Sequence, residues 1–465
     1  MKIVYWIYNF LWGDLLKIPL PGGNTVALSL LVLILVPAGI FFMIRTRFLP
    51  IRLLPDMIKI TVSTEKKSDG LSGLQALIVS TATRVGMGNL VGVVAAVSAG
   101  GAGAVFWMWV TAIVGSATAF IEATLAQIYT EKDPLYGGYR GGPAYFLHSL
   151  AERVRGKKLK RSVLAVLFAI SGLICWCGIS QVIGNSVSTS LKNAFHIPTL
   201  WTAVALTIVS AVIVLRKNAT VKVLDVVVPI MAGCYFFVTI FIILKNVGQL
   251  PAIFERIFAE AFGIRQVAAG GFGAVIMNGV KRGLFSNEAG SGSAPCAAAA
   301  ADIDHPTKEG LLQALGVFID TLVICSCSAM LMLLAPEETV SGLAGMDLLQ
   351  SAMEYHMGQA GVVFIAVMLL LFSFSTFIGI LFYARSNVAY LFGDNWLSQT
   401  LYKILALVML FVGCQAAYTF VWDLGDVGIG LMTIFNMIAL FPLSKEAIAS
   451  LKDYETKKKK GELSL

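Results

Sequence analysis

The chain has 465 residues, 57% of them hydrophobic and only 13% charged, with a mean hydropathy of +0.80. Soluble globular chains are nearer one quarter charged, so this composition excludes a water-soluble domain and points to an all-α membrane protein with many spans. The net charge of +8 invites a nucleic-acid partner, but its placement along the chain argues against one.

The N-terminal stretch MKIVYWIYNFLWGDLLKIPLPGG is aromatic and lacks a small-residue cleavage site after a plain apolar core. It reads as a retained surface segment and not as a signal peptide. About eleven transmembrane helices follow from the apolar runs. The first covers 25–44, and ten more lie near 70–99, 102–130, 160–190, 198–216, 220–245, 267–300, 305–335, 359–384, 399–420 and 424–443. PAIFERIFAEAFG, MDLLQSAMEYHMG and GGPAYFLHSL are amphipathic or too polar to span, and are expected at the membrane surface.

Lysine and arginine set the expected orientation. With Arg45, Arg47, Arg52, Lys59, Lys66 and Lys67 in the cytoplasm, the outer segments hold only Lys2, Lys17, Lys192, Lys245, Arg256 and Arg265. The N-terminus then lies outside and the tail KDYETKKKK inside, against anionic lipid headgroups. The basic excess is topological, with the lipid bilayer as its partner.

Residues 1–69 form an N-terminal surface segment, an extra helix and a basic loop. Residues 70–245 and 267–443 each hold five spans, joined by an amphipathic connection at 246–266, and residues 444–465 form a basic tail. Five is odd, so the two sets run in opposite directions, as in the 5+5 inverted repeat of many alternating-access transporters. The leading helix of each set is interrupted, one by RVGMGNLVG (84–92) and the other by KRGLFSNEAGSGSAP (281–295). Matched interruptions are the best pointer that a sequence gives to a transporter's binding site. A broken helix frees N–H groups that attract an anion and C=O groups that attract a cation, while glycine permits close approach. A zwitterionic amino acid with co-transported Na⁺ matches that set of partners. Ser375 and Thr376 in the ninth span add candidate oxygen ligands for Na⁺.

Arg84, Glu122, Glu288 and Asp320 also fall within spans, as do Lys281 and Arg282. Charges at membrane depth face the interior and are usually paired, so ion pairs, gating or proton coupling are their expected roles. Asp320 and Glu288 are the expected partners of Arg84, Lys281 or Arg282. The Cys175/Cys177 and Cys325/Cys327 pairs are i, i+2 on helices, diverge by roughly 200°, and read as packing and not as a metal site. No HExxH, GxSxG or Walker-type motif is present, which leaves an enzyme or an ATP-driven pump without chemistry.

RVGMGNLVGVVAAVSAGGAGAVFWMWVTAIVGSATAFIEATLA, YGGYRGGPAYFL, VKRGLFSNEAGSGSAP and STFIGILFYARSNVAYLFG together resemble the alanine or glycine:cation symporter family, which is similar in architecture to the leucine-transporter fold. The resemblance implies a sodium-coupled symporter of small neutral amino acids such as alanine, glycine or glutamine. It places the substrate carboxylate at Gly86, Met87 and Gly88, and Asn89 beside a first Na⁺ or the substrate. Ala82, Val85, Phe372, Ser375 and Thr376 would form a second Na⁺ site. Gly283, Phe285, Ser286 and Asn287 would receive the ammonium and shape the side-chain pocket. Two departures stand out: Met87 replaces a common Thr, and Gln181 and Gly184 replace an Asn and a Gln. If the fourth span lines the pocket, Gly184 makes room for a side chain larger than that of alanine. A proton-coupled transporter of the same fold and, in a different class, an ion channel are the alternatives.

Overall fold

The computed structural model describes residues 2–19, 25–62, 77–78, 84–216, 221–264 and 271–463. Helix α1 (Lys2–Trp12) leads into a two-stranded hairpin, β1 (Leu16–Pro19) and β2 (Thr25–Leu28), paired with Leu16 opposite Leu28. The first apolar helix, α2 (Leu30–Arg45), starts where the Ser29 hydroxyl accepts the Val32 N–H. Such a cap satisfies one of the donors that every helix start leaves unpaired. Two short helices, Leu49–Arg52 and Leu54–Val62, follow it.

The next helix, α3, opens as a π-helix over Arg84–Gly92 and continues as α-helix over Val93–Gly100. Beyond it come α4 (Gly103–Ile128), a short hairpin of β3 (Glu131–Lys132) and β4 (Tyr139–Arg140), and α5 (Pro143–Arg155). The long α6 (Val163–Phe195) precedes α7 (Thr199–Val214), α8 (Val221–Lys245) and the amphipathic α9 (Leu250–Ala261). Helix α10 (Gly271–Asn287) stops inside the protein, and a four-residue turn at Pro295–Ala298 resumes the winding. The chain ends with α11 (Pro306–Leu333, π-helical over Phe318–Cys325), α12 (Gly345–Met357), α13 (Gln359–Phe392), α14 (Trp396–Gln415) and α15 (Tyr418–Lys460).

Among the described residues seven helices are long and apolar enough to cross a bilayer: α4, α6, the Val227–Lys245 part of α8, α11, α13, α14 and α15. Leu30–Arg45, Gly86–Gly100 and Thr199–Val214 are apolar but shorter. With α10 they account for the expected spans. The lipid side is written in side chains: Trp201, Ile208 and Val212 of α7 and Phe237, Phe241 and Leu244 of α8 all point outward. Lipid tails offer no hydrophobic drive for helix association, so close packing must supply it. At the α6/α15 crossing a side chain on Gly178 would run into the backbone of Leu424 and Gly425. The three polar segments expected at the surface are α9, α12 and α5, each short and with a buried apolar face.

The structure corrects one expectation here. Helix α15 runs well past 443, so the lysine-rich tail is ordered helix and more than a solvated lipid anchor. Its Lys458 binds Asp56 at 2.6 Å, Glu455 meets Arg52 at 2.7 Å, and Asp453 meets His305 at 3.1 Å. All seven cysteines are free thiols, as expected.

Candidate functional site

RVGMGNLVG was expected to unwind, but the described part of it is wound, with the wide turn of a π-helix. Three glycines relax the steric limits that keep helices at the narrower α pitch, and π turns recur at functional sites. The first N–H groups of this stretch are held by side chains. Gly86 N–H donates to Asn89 Oδ1 at 2.9 Å, and Met87 N–H donates to Thr376 Oγ1 at 3.1 Å. Glycine at 86 is a steric requirement, because an added Cβ would collide with the Thr376 hydroxyl. Ser375 donates to the Phe372 carbonyl at 2.9 Å. Four of the residues expected around the second Na⁺ or beside it (Phe372, Ser375, Thr376 and Gly86) are therefore together. Ala82 lies outside the described residues, as do the side chains of Arg84 and Val85.

The second interruption is a true break. Glu288, Gly290 and Gly292 have φ values of +58°, +95° and +81°, in the left-handed region. Glutamate rarely adopts that backbone, and such strain persists where the surroundings over-determine it. Glu122, buried in the C-terminal third of α4, does so. Its carboxylate accepts the Gly290 N–H and, at 2.8 Å, the Asn436 side-chain amide. Asn436 also donates to the Gly290 carbonyl at 3.1 Å, so both backbone groups of this one glycine are held by side chains. Glu288 accepts the Tyr383 hydroxyl at 3.2 Å.

The two interruptions meet. A Cβ on Gly88 would lie 3.4 Å from Ser286 Cα and 3.7 Å from the Phe285 carbonyl oxygen. A second π-helical stretch, Phe318–Cys325, faces the first and supplies Asp320. Asn89 Nδ2 donates to Asp320 Oδ1 at 2.7 Å and to the Asp320 carbonyl at 3.1 Å. Ser286 donates to Asp320 Oδ2 at 2.9 Å, and Thr321 donates to the same oxygen at 2.7 Å. Cys325 Sγ sits 3.3 Å from Asn89 Nδ2 and 3.1 Å from Ser286 Oγ. One carboxylate, fully buried, thus joins three helices at the point where both interruptions converge. An anionic oxygen cluster of this kind suits a small hard cation or an ammonium group.

Other expected residues fall elsewhere. Gly283 faces Thr111 of α4. Phe285 packs its ring edge on Trp422, with centroids 4.9 Å apart, and borders Gly88 and Gly92. Asn287 Oδ1 accepts the Ala289 N–H, while its buried Nδ2 has no partner among the described residues. Gln181 and Gly184 pack α6 onto α14. Gln181 Nε2 contacts Met409 Sδ at 3.3 Å, and a Cβ on Gly184 would strike the Leu410 carbonyl. Gly184 is thus a helix-crossing glycine, and the extra pocket space attributed to it is not retained.

The expected partners of Lys281 and Arg282 are also revised. Lys281 and Arg282 both pair with Asp426 of α15, and not with Asp320 or Glu288. Asp426, Asn436, Tyr383, Trp422 and Cys325 were missed in the sequence. A lone acid in the last apolar span was the available signal for Asp426.

A helical membrane protein in which a π-helical stretch and a broken helix converge on a buried carboxylate has the build of a secondary transporter. The comparisons agree. The model of the sodium:alanine symporter family matches residues 21–464, and the chain belongs to that family. The chain is 41% identical to the "Probable sodium/glutamine symporter GlnT" of Bacillus subtilis (strain 168) over 93% of its own length and 89% of that relative. It is 34% identical to the "Sodium/alanine symporter AgcS" of Methanococcus maripaludis over 98% and 97%. Among solved structures, a manganese transporter mutant of Eremococcus coleocola has a TM-score of 0.52 at 13% identity, covering 82% of this chain and 78% of that one. That likeness concerns the fold alone.

Proposed function

We propose that the chain imports a small neutral amino acid, such as alanine, glycine or glutamine, together with Na⁺, by alternating access in which one helical bundle rocks against the other. The reading rests on the Asn89–Asp320–Ser286 cluster, where a carboxylate binds side chains from both interruptions. In it, Asp320, Asn89 and Ser286 hold one cation, either Na⁺ or the substrate ammonium. Thr376, Ser375 and the Phe372 carbonyl hold a second Na⁺ beside Gly86. The N–H groups of Gly86, Met87 and Gly88 take the substrate carboxylate once Asn89 and Thr376 release them. The N-terminus lies outside and the α15 tail inside, as the lysine and arginine distribution requires.

The driving force is adequate. One Na⁺ crossing about 100 mV releases about 2.3 kcal/mol, and a tenfold Na⁺ gradient adds about 1.4 kcal/mol. The test is uptake of labelled alanine, glycine, serine and glutamine into proteoliposomes under imposed Na⁺ or H⁺ gradients. Uptake driven by Na⁺ is the expected result. Uptake indifferent to Na⁺ and abolished by a protonophore would assign the same fold to proton coupling, and conductance without saturation would make it a channel.

A further inference from the structure

One stretch of the molecule carries more positive charge than its contacts use. Lys281 and Arg282 are 4% and 5% exposed, and both turn to the single carboxylate of Asp426, itself 1% exposed. Arg282 grips it with two bonds of 3.0 Å each, and Lys281 Nζ reaches Asp426 Oδ2 at 2.6 Å. Asp423 lies within electrostatic range on the same helix but forms no ion pair with either cation among the described residues. The Arg282 Nε–H is buried and has no acceptor among the described residues. Removing charges from water is expensive, and two cations sharing one anion leave that cost only partly offset.

Aromatic rings enclose this pair of cations. The Arg282 guanidinium lies 3.9 Å from the Trp422 ring centroid, and Lys281 Nζ lies 4.6 Å from that of Tyr8 and 2.6 Å from its hydroxyl. Trp12 closes the cluster from α1, donating its indole N–H to the Asp426 carbonyl at 3.0 Å. The β1–β2 hairpin rests on the start of α10 at Gly273. The cluster therefore sits one helical turn before Phe285 and the second interruption, at the end of the protein capped by the N-terminal segment.

We propose that Lys281 and Arg282 form an outer recruitment subsite for the carboxylate of the incoming amino acid, with Asp426 as its resident competitor. The proposal rests on the amino-acid symport reading and on the orientation given above. A substrate carboxylate suits this cluster: it can replace Asp426 on part of the fork and give the buried Arg282 Nε–H an acceptor. Guanidinium groups favour such planar two-oxygen partners. When the outer side is open, the substrate carboxylate displaces Asp426 from part of the fork. When Asp426 returns, it expels that carboxylate towards Phe285 and Gly88 and closes the outer path. Because one carboxylate replaces another, the exchange requires no net loss of ion pairing.

The test uses the full-length protein in proteoliposomes at fixed Na⁺ and pH 7.5, measuring initial uptake of an accepted neutral amino acid. Two external competitors are compared: propionate, a carboxylate without an ammonium, and alaninamide, an ammonium without a carboxylate. The inhibition constant of propionate is expected to rise at least tenfold in Lys281→Met, while that of alaninamide is unchanged. Lys281→Arg, which keeps the charge, retains wild-type inhibition by propionate. Lys17→Met, at an exposed lysine, controls for net charge. If Lys281→Met does not reconstitute, Lys281→Gln takes its place. Equal propionate inhibition in wild type and the charge-removing variant overturns the subsite, as does a wild type that ignores propionate. If wild-type uptake itself shows no Na⁺ dependence, the symport reading fails instead, whatever propionate does.

Discussion

Replacing Gly86 with alanine tests the coupling between the first interruption and α13 most directly. The new Cβ would occupy the space of the Thr376 hydroxyl, which now accepts the Met87 N–H at 3.1 Å. Forcing a methyl group into a packed interior costs about 1–3 kcal/mol, and loss of the Met87 bond strands a buried N–H at about 1–3 kcal/mol more. If Thr376 binds Na⁺, part of this appears as weaker Na⁺ binding, where about 1.4 kcal/mol is a tenfold change. Gly86→Ala should therefore raise the Na⁺ concentration for half-maximal uptake at least tenfold. Thr376→Ala alone should also raise it. In the double variant the obstacle is gone, so Gly86→Ala should then add clearly less than it does in wild type. Na⁺-dependent uptake and thermal unfolding of the four proteins provide the cycle. Strict additivity of the two substitutions would refute the contact as the source of the effect.

Asp320→Asn keeps the shape of the central cluster but removes its charge, and should weaken apparent Na⁺ affinity at least tenfold in the same titration. Glu122→Gln replaces a charged acceptor of the Gly290 N–H with a neutral one. It should destabilise the break by about 1–2 kcal/mol, read as lower thermal stability and slower turnover with little change in substrate ranking. Gly184→Ala should lower thermal stability through its clash with the Leu410 carbonyl and leave the order of preferred amino acids unchanged, as a substrate panel will show. Lys458→Ala should loosen the contact to Asp56 and expose the Leu54–Val62 region to protease in inside-out vesicles.

Much of the fold was legible because membrane spans announce themselves by long apolar runs, and because glycine clusters marked both interruptions. SNEAGSGSAP proved to be a break with three left-handed residues, one of them Glu288. RVGMGN proved to be wound as π-helix, with the Gly86 and Met87 N–H groups near its start held by Asn89 and Thr376. Pairing of charges was not legible. Arg282 and Asp426 are separated by 144 positions, and only side chains reaching across from α10 to α15 bring them together. The same holds for Asn89 and Asp320, joined by two facing π-helical stretches that hydropathy cannot reveal. Gly184 misled because a small residue serves a helix crossing and a roomy cavity equally well.

Helix α15 is 43 residues long, which at 1.5 Å per residue is about 65 Å, roughly twice the hydrocarbon thickness of a bilayer. It holds Asp426 towards one end and Glu446, Asp453 and Lys458 towards the other, with Pro442 between them. A beam of that reach transmits tilt: a few degrees of swing when Asp426 lets go shifts by a few ångströms the contacts at Arg153, His305 and Asp56, about 30–48 Å along the helix. Opening at one face and loosening at the opposite face are then a single mechanical event, and no relay of side chains between them is required.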